Sequence, residues 1–507
     1  MDKNRKLSLL LLISVLVIAT CGLIYELVAG TLASYLLGDT ITQFSTIIGL
    51  YLFSMGIGSF LSKYVRGRLL ETFVRVEVWV GIIGGFSSTV LFLSFELVHS
   101  FSFILYFLIL LTGTLVGLEI PLLMRILNEY RIGFKDIVSR VFTFDYVGAL
   151  AASLIFPLFF VPKLGLIKTS LFFGILNVSV ALLLLLRFPL EFKRRRGLLI
   201  FSFAALTLLT IGFVMGDRIM RYAESLSYPD KVIYSQSSSY QRIVLTRGHN
   251  ETRLFLNGNL QFSSLDEYRY HEALVHPAMQ RSRSRSSVLV MGGGDGLALR
   301  EILKYPDVQQ VTLVDLDPAL TQLFSGNEYL TRLNERSLLS PKVKVINQDA
   351  FIWVRNAAEK YDCVIIDFPD PSSFALGKLY SNIMYHSLHR VLSPGAAIVI
   401  QSTSPLFAPN SFWCINETVR SAGFRTLPYH CYVPSFGEWG FVMATEGDFT
   451  QARSALPGGL RFFSNEAFAA MTHFPEDMKE RPTGVNRLNN QMLVHFFEKE
   501  WSSYSAH

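Results

Sequence analysis

Before Asp217 the chain carries about seven apolar stretches, each long enough to cross a hydrocarbon core of about 30 Å. They lie near Leu7–Ala29, Thr42–Leu61, Val76–Leu97, Phe101–Met124, Val141–Val161, Leu166–Leu186 and Leu198–Met215. Inside lipid no water is present to satisfy backbone N–H and C=O groups, so stretches of this kind fold as α-helices. The sequence therefore predicts an α-helical transmembrane bundle of about seven spans over residues 1–216. Leu7–Ala29 is too long, and followed too soon by a second stretch, to be a cleaved leader. Mean hydropathy is +0.36, high for a soluble enzyme, yet charged residues concentrate after Asp217, which places a polar domain in the second half.

Alternate connections of the apolar half are basic. Lys3, Arg5 and Lys6 precede the first stretch, Lys63, Arg66 and Arg68 follow the second, Arg125, Arg131, Lys135 and Arg140 follow the fourth, and Lys193 to Arg196 follow the sixth. The positive-inside rule puts these in the cytoplasm and, after an odd number of spans, sends the second half outside. These clusters also account for much of the net charge of +6, so no nucleic-acid partner is expected. Glu26, Glu119 and Asp145 fall inside the stretches, where an ionisable group is costly; they either pair within the bundle or mark a cation path. Gly56, Gly58, Gly84 and Gly85 suggest close helix packing. Cys21, Cys363, Cys414 and Cys431 have no metal-site spacing, and no metal is expected; Cys414 and Cys431 are free thiols, or a disulfide if the domain is exported.

The second half divides in three by pattern. Residues 217–283 hold a linker, alternating segments VIYS, YQRIVLTR and RLFLNGNLQF with Asn257-Gly258 as a hairpin turn, and a polar helix. They read as a small N-terminal antiparallel β subdomain. Residues 284–447 alternate strand and helix as an α/β Rossmann-like, methyltransferase-type domain, and residues 448–507 form a helical tail packed on it. Four β-branched runs end in acidic loops: GGGDG at Gly292 to Gly296, VDLD at Val314 to Asp317, QDA at Gln348 to Ala350 and DFPDP at Asp367 to Pro371. Ligands of open α/β sheets bind at the carboxyl ends of strands, so these acids line one crevice, suited to a cationic ligand. Gly292 and Gly294 let the backbone approach a nucleoside, and Asp315 lies about twenty residues on, where a ribose-binding acid sits. Asp295 inside the glycine loop would repel a pyrophosphate and attract a sulfonium or an ammonium.

In order and spacing, SSSYQ, LNGNLQFSSLDEYRYHEALVHPAM, GGGDG, VDLDP, QDA, YDCVIIDFPDP, KLYS and VPSFGEWGF resemble the polyamine aminopropyltransferases typified by spermidine synthase. The resemblance runs from Tyr234 to the C-terminus and, with spans ahead of it, suggests a membrane-bound branch. It implies transfer of the aminopropyl group of decarboxylated S-adenosylmethionine to a diamine such as putrescine, giving spermidine and 5'-methylthioadenosine. No permanently bound cofactor is implied, and a homodimer is admitted. By the resemblance, Gln241, Asp315, Asp349 and Ala350 hold the nucleoside, Asp315 through the ribose hydroxyls. Asp295 lies near the aminopropyl group and the acceptor, and Tyr270 and His271 line the acceptor channel.

An alkylammonium is mostly protonated at neutral pH and needs a base before it can attack; Asp367 is that base, with Asp370 holding the same amine or the donor's ammonium. Either acid could instead cap a following helix, Asp315 could be a plain strand-end turn, and His271 a satisfied buried histidine. Leu297 stands at the second half of the family's usual glycine pair, which alters helix packing, and SSFALGKLYS replaces its Gly-Pro-rich segment, which leaves the acceptor open; Tyr380 and Glu438 are candidates for its distal amine. Two other classes stand beside this reading: a methyltransferase, which would usually show an acid where this chain has Met291, and a transporter or sensor that only binds polyamine. Supply of a charged donor made in the cytoplasm favours a cytoplasmic crevice, against the charge pattern of the connections.

Overall fold

The computed structural model describes residues 2–37, 40–97, 101–129, 134–452 and 455–505. Arg131, and the side chains of Lys3, Arg5 and Lys6, lie outside that description. The chain forms two compact units, Met1–Asp230 and Lys231–His507.

The first unit is helical: α1 (Asp2–Leu37), α2 (Thr40–Ser62), α3 (Leu69–Leu97), α4 (Phe101–Glu129), α5 (Phe134–Ile155), α6 (Val161–Arg187) and α7 (Arg195–Ser227). Among the described residues six helical runs are long and apolar enough to cross a membrane. The fifth, Lys135–Arg187, takes in two of the expected stretches. A π-helical turn at Phe156–Phe160 joins its halves, and Gly165, at φ 69° and ψ 177°, is non-helical. The Thr20 hydroxyl of α1 donates to Gly148 O at 3.2 Å, and the neighbouring Cys21 thiol reaches Phe173 O at 3.6 Å. The last helix continues past Met215 to Ser227.

Close packing rests on small residues. A Cβ on Gly58 would lie 2.0 Å from Thr114 O, and one on Gly117 would lie 2.2 Å from Met55 O, so α2 and α4 touch backbone to backbone. Gly84 and Gly85 are similarly confined, against the Tyr25 ring and Leu209, whereas Gly56 faces open space.

The second unit opens with a four-stranded antiparallel sheet, β1 (Lys231–Ser237), β2 (Arg242–Arg247), β3 (Thr252–Leu256) and β4 (Asn259–Ser263), paired in chain order. Asn257 and Gly258 both have positive φ, 52° and 82°, which gives the β3–β4 hairpin the twist that its strands require. Helix α8 (Glu267–Arg281) leads into the large sheet, whose strands and helices alternate as β5 (Ser287–Gly292), α9 (Leu297–Leu303), β6 (Gln310–Asp315), α10 (Pro318–Gly326), α11 (Glu328–Leu333), β7 (Val343–Asn347), α12 (Ala350–Asn356) and β8 (Tyr361–Asp367). They continue as α13 (Phe374–Gly377), α14 (Asn382–Leu388), β9 (Leu392–Gln401), α15 (Pro409–Ser421), β10 (Arg425–Val433) and β11 (Gly437–Thr445). Helices α16 (Asn465–Met471) and α17 (Met492–Ser505) close the unit.

The sheet order is β10-β11-β9-β8-β5-β6-β7, with β5 to β9 parallel and β11 antiparallel to both of its neighbours, β9 and β10. The chain winds outward from β5 in one direction and returns through β8 in the other, so the topological switch point lies between β5 and β8. Buried aliphatic side chains of these strands, such as Val288, Val290, Ile365 and Val399, form the core on one face, and Leu289, Val364 and Ile398 on the other. The C-terminal segment docks through carboxylates. Glu272 of α8 accepts the backbone N–H groups of Arg461, Phe462 and Phe463 at 2.7–2.8 Å, and Glu500 of α17 accepts those of Asn410 and Ser411 at the start of α15. All four cysteines are free and buried.

Candidate active site

Parallel pairing puts Gly292, the last residue of β5, directly beside Asp367, the last residue of β8. Positive φ at Gly292 and Gly293, 80° and 67°, turns the chain across the strand ends, and a Cβ at Gly292 would strike Asp367 O at 2.1 Å. The glycine loop thus wraps the foot of the Asp367 loop. Beyond it Gly294 N–H donates to Asp315 Oδ2 at 3.0 Å, while Asp315 Oδ1 accepts from Asp317 N–H at 2.9 Å. Asp315 therefore does fix a strand-end turn, and it does so at the edge of the same crevice. Asp295 accepts from Leu297 N–H at 2.9 Å and is 8% exposed.

Gathering these acids in one place shifts them. Burial is the main cause in each case, since a low-dielectric surrounding penalises the ionised carboxylate. It raises Asp367 and Asp370 to about 6 and Asp315 to about 7, and it raises Asp295 as well. For Asp367 the charge of Asp295 raises it further, against the opposing effects of His271 and of a 2.5 Å hydrogen bond from the Tyr270 hydroxyl. Burial works the other way on His271, yet its hydrogen bond to Glu267, with the charges of Glu267, Asp295 and Asp367, prevails and lifts it to about 9. At neutral pH that imidazole is cationic. It serves as counter-charge to Asp295 and Asp367, which makes it a poor direct partner for an ammonium.

Several supports were not legible in advance. Glu267 accepts His271 Nδ1 at 2.9 Å and is gripped by both terminal nitrogens of Arg300 at 2.9 and 2.8 Å. Gln401, at the carboxyl end of β9, donates through Nε2 to Asp370 Oδ1 at 3.0 Å, to Phe368 O at 2.8 Å and to the Tyr380 hydroxyl at 3.1 Å. Its own carbonyl receives Thr403 N–H at 2.7 Å, and Thr403 holds φ 57°, a rare conformation for a β-branched residue. Gln401 answers to the rule that strand ends face the crevice, and a search for acids alone passes over it.

The remaining expected residues are placed as follows. Tyr380 is fully buried and its hydroxyl lies 3.1 Å from Phe368 O and Pro369 O, so it braces the Asp370 loop. The cap of α13 is Ser373, whose hydroxyl accepts Leu376 N–H, so neither Asp367 nor Asp370 is consumed as a helix cap. Asp349 caps α12 through Phe351 N–H and is bridged at 2.6 Å by Lys378 from the segment that departs from the family pattern; Ala350 is the first residue of that helix. Gln241 donates to Asp317 Oδ2 at 2.9 Å. Tyr270 packs against His271, Phe436 and Phe441, and Phe436 against Trp439, an aromatic wall suited to alkylammonium chains. Glu438 is engaged by His430 Nδ1 at 2.8 Å on the β10–β11 hairpin, and no contact joins it to the acids of the crevice among the described residues.

Residues 267–453 match the family described as Spermine/spermidine synthase domain. A polyamine aminopropyltransferase of Leptospira interrogans serogroup Icterohaemorrhagiae serovar copenhageni is 54% identical over 492 residues, covering 97% of this chain and 98% of its own. Polyamine aminopropyltransferase 2 of Ralstonia nicotianae is 50% identical over 501 residues, again covering 97% and 98%. A solved structure of spermidine synthase in complex with the transition state analogue AdoDATO is 24% identical, with a TM-score of 0.46, over 48% of this chain and 86% of that one. Similarity at this level along both halves shows that the chain belongs to the polyamine aminopropyltransferase family.

Proposed function

We propose that the crevice moves the aminopropyl group of decarboxylated S-adenosylmethionine onto a diamine such as putrescine, yielding spermidine and 5'-methylthioadenosine. The observation that supports this is the register of Gly292 against Asp367, which sets the glycine loop and the Asp367 carboxylate side by side at the switch point, within electrostatic reach of Asp295. The donor's adenosine lies along Gly292 to Gly294, with Asp315 on the ribose hydroxyls, Asp349 and Ala350 at the adenine, and Gln241 covering it. Asp295 and Asp370 face ammonium groups, and Tyr270 directs the Asp367 carboxylate. Asp367 accepts a proton from the acceptor nitrogen, whose lone pair attacks the methylene carbon next to sulfur. A C–N bond forms, the C–S bond breaks, and its electron pair returns to sulfur as a neutral thioether.

A sulfonium and three ammonium groups, one on the donor and two on the diamine, account for why so many carboxylates share one low-dielectric space: bound cations replace the missing counter-charge. Ordinary S-adenosylmethionine adds a carboxylate that Asp295 and Asp370 repel. Calorimetric titration with both donors tests this, and equal affinities would favour a methyltransferase instead.

For the apolar half we infer a seven-crossing bundle in a cell membrane. Gly148 and Phe173 touch adjacent residues of α1 although they lie 25 residues apart (173 − 148), which would separate them by ~37 Å along a straight helix. A reversal between them at Gly165, which is non-helical, supports reading Lys135–Arg187 as two crossings. Supply of the donor, which carries fixed charge and is made in the cytoplasm, puts the crevice on that side; with seven crossings this sets the basic connections outside, against the positive-inside rule.

A further inference from the structure

Within the helical unit, α3 contributes a carboxylate that the reading of the apolar stretches passed over. Glu77 is 0% exposed, and its carboxyl lies beside that of Glu119 of α4, 1% exposed, close enough for each to act directly on the other. Both oxygens of Glu77 and one of Glu119 have no donor. The Tyr25 hydroxyl of α1, on a residue 2% exposed, likewise lacks a partner and lies within electrostatic reach of both acids, of Cys21 and of Tyr51. Asp145 of α5 acts on Glu119, and Glu26 acts on Tyr51.

No cation is described beside the pair. On α3 Arg75 is exposed and Arg68 bonds Glu71; on α4 Arg125 donates to Ser62 O and Val65 O; on α6 Lys168 bonds Asp217; Lys135 and Arg140 of α5 and Arg218 and Arg221 of α7 are exposed. The basic residues at the start of α1 precede Tyr25 by nineteen or more positions (25 − 6). Two bare carboxylates side by side repel strongly in so apolar a place, and buried polar groups are rarely left unpaired. A hard metal ion asks for six or more oxygens, and among the described residues no group of three or more His, Cys, Asp or Glu gathers there. The cation that fits between two carboxyl groups this close is a proton, which turns the repulsion into a hydrogen bond.

We propose that Glu77 and Glu119 hold one proton between them and form a proton-binding site inside the helical bundle, with Tyr25 as the neighbouring exchangeable group. This is independent of the transfer chemistry. Ionisable groups within apolar spans are costly, and those that pair with one another there commonly serve proton relays.

Infrared spectra of the purified full chain in lipid vesicles, with carboxyl-labelled 13C-glutamate, read the site directly. At neutral pH we expect a protonated-carboxyl carbonyl band that shifts with the label, is lost in the Glu77→Gln, Glu119→Gln double variant and persists in Glu26→Gln. In a Glu77→Asp, Glu119→Asp chain, which keeps the acids should the glutamine variant fail to fold, the same band should lose its glutamate label shift and gain an aspartate one. A band insensitive to these substitutions, or carboxylate bands alone, would overturn the proposal. Loss of the band on adding putrescine or spermidine in place of a pH change would also overturn it, by assigning the site to an ammonium.

Discussion

Replacing Asp367 with Asn separates the base from everything else that the residue does. Asn keeps an oxygen to accept the 2.5 Å hydrogen bond from Tyr270 and fits the same space beside Gly293, but it cannot take a proton. Loss of a general base typically lowers a rate by about 10²–10⁴, or about 3–5 kcal/mol in the barrier. The folded state should not suffer. Asp367 is raised to about 6, above its unfolded value, so the native state binds the proton more tightly and stability contributed by this group is lost as pH climbs through about 6. At pH 7 the wild-type carboxylate is about nine-tenths ionised and costs the fold an estimated ~1–3 kcal/mol, which a neutral Asn avoids. Asp367→Asn should therefore melt at the wild-type temperature or above, bind donor with near-unchanged affinity, and turn over at least about a hundredfold more slowly in a methylthioadenosine assay. Retention of more than about a tenth of the activity would refute the base assignment.

The acid limb of kcat/KM should fall near pH 6, reporting Asp367 and Asp370 jointly; Tyr270→Phe removes the bond that favours the ionised form, so the limb should move to higher pH and activity at pH 6 should drop more than at pH 8. Gly294→Ala places a Cβ 2.8 Å from the Asp315 carboxyl carbon, and donor KM should rise about tenfold or more with kcat much less affected; an unchanged KM would detach that acid from the ribose. Because all four native cysteines are buried, an impermeant thiol reagent can report an Asn250→Cys variant alone: labelling only after permeabilisation is expected, and labelling of intact cells would put the crevice outside, as the basic connections argue.

What could be read from the sequence was whatever local chemistry dictates. Asn257-Gly258 demands positive φ and forms a hairpin; β-branched runs closing on acids form parallel strands whose ends meet. Pairwise consequences of tertiary contact could not be read that way. Nothing near His271 announces that Arg300, nearly thirty residues on, will fix Glu267 against it and leave the imidazole charged. Tyr380 and Glu438 were candidates for a distal amine by residue type, yet one braces a loop and the other meets His430. Glu77 satisfies the same criterion as Glu119, an acid within an apolar stretch, and its significance emerges only when α3 and α4 bring the two together.

The central claim is aminopropyl transfer, and product analysis tests it most directly. The purified full-length chain, given decarboxylated S-adenosylmethionine and putrescine, should release 5'-methylthioadenosine and spermidine in equal amounts, and should give neither product with ordinary S-adenosylmethionine. A methylated amine with S-adenosylhomocysteine, or saturable amine binding with no turnover of either donor, would contradict the account.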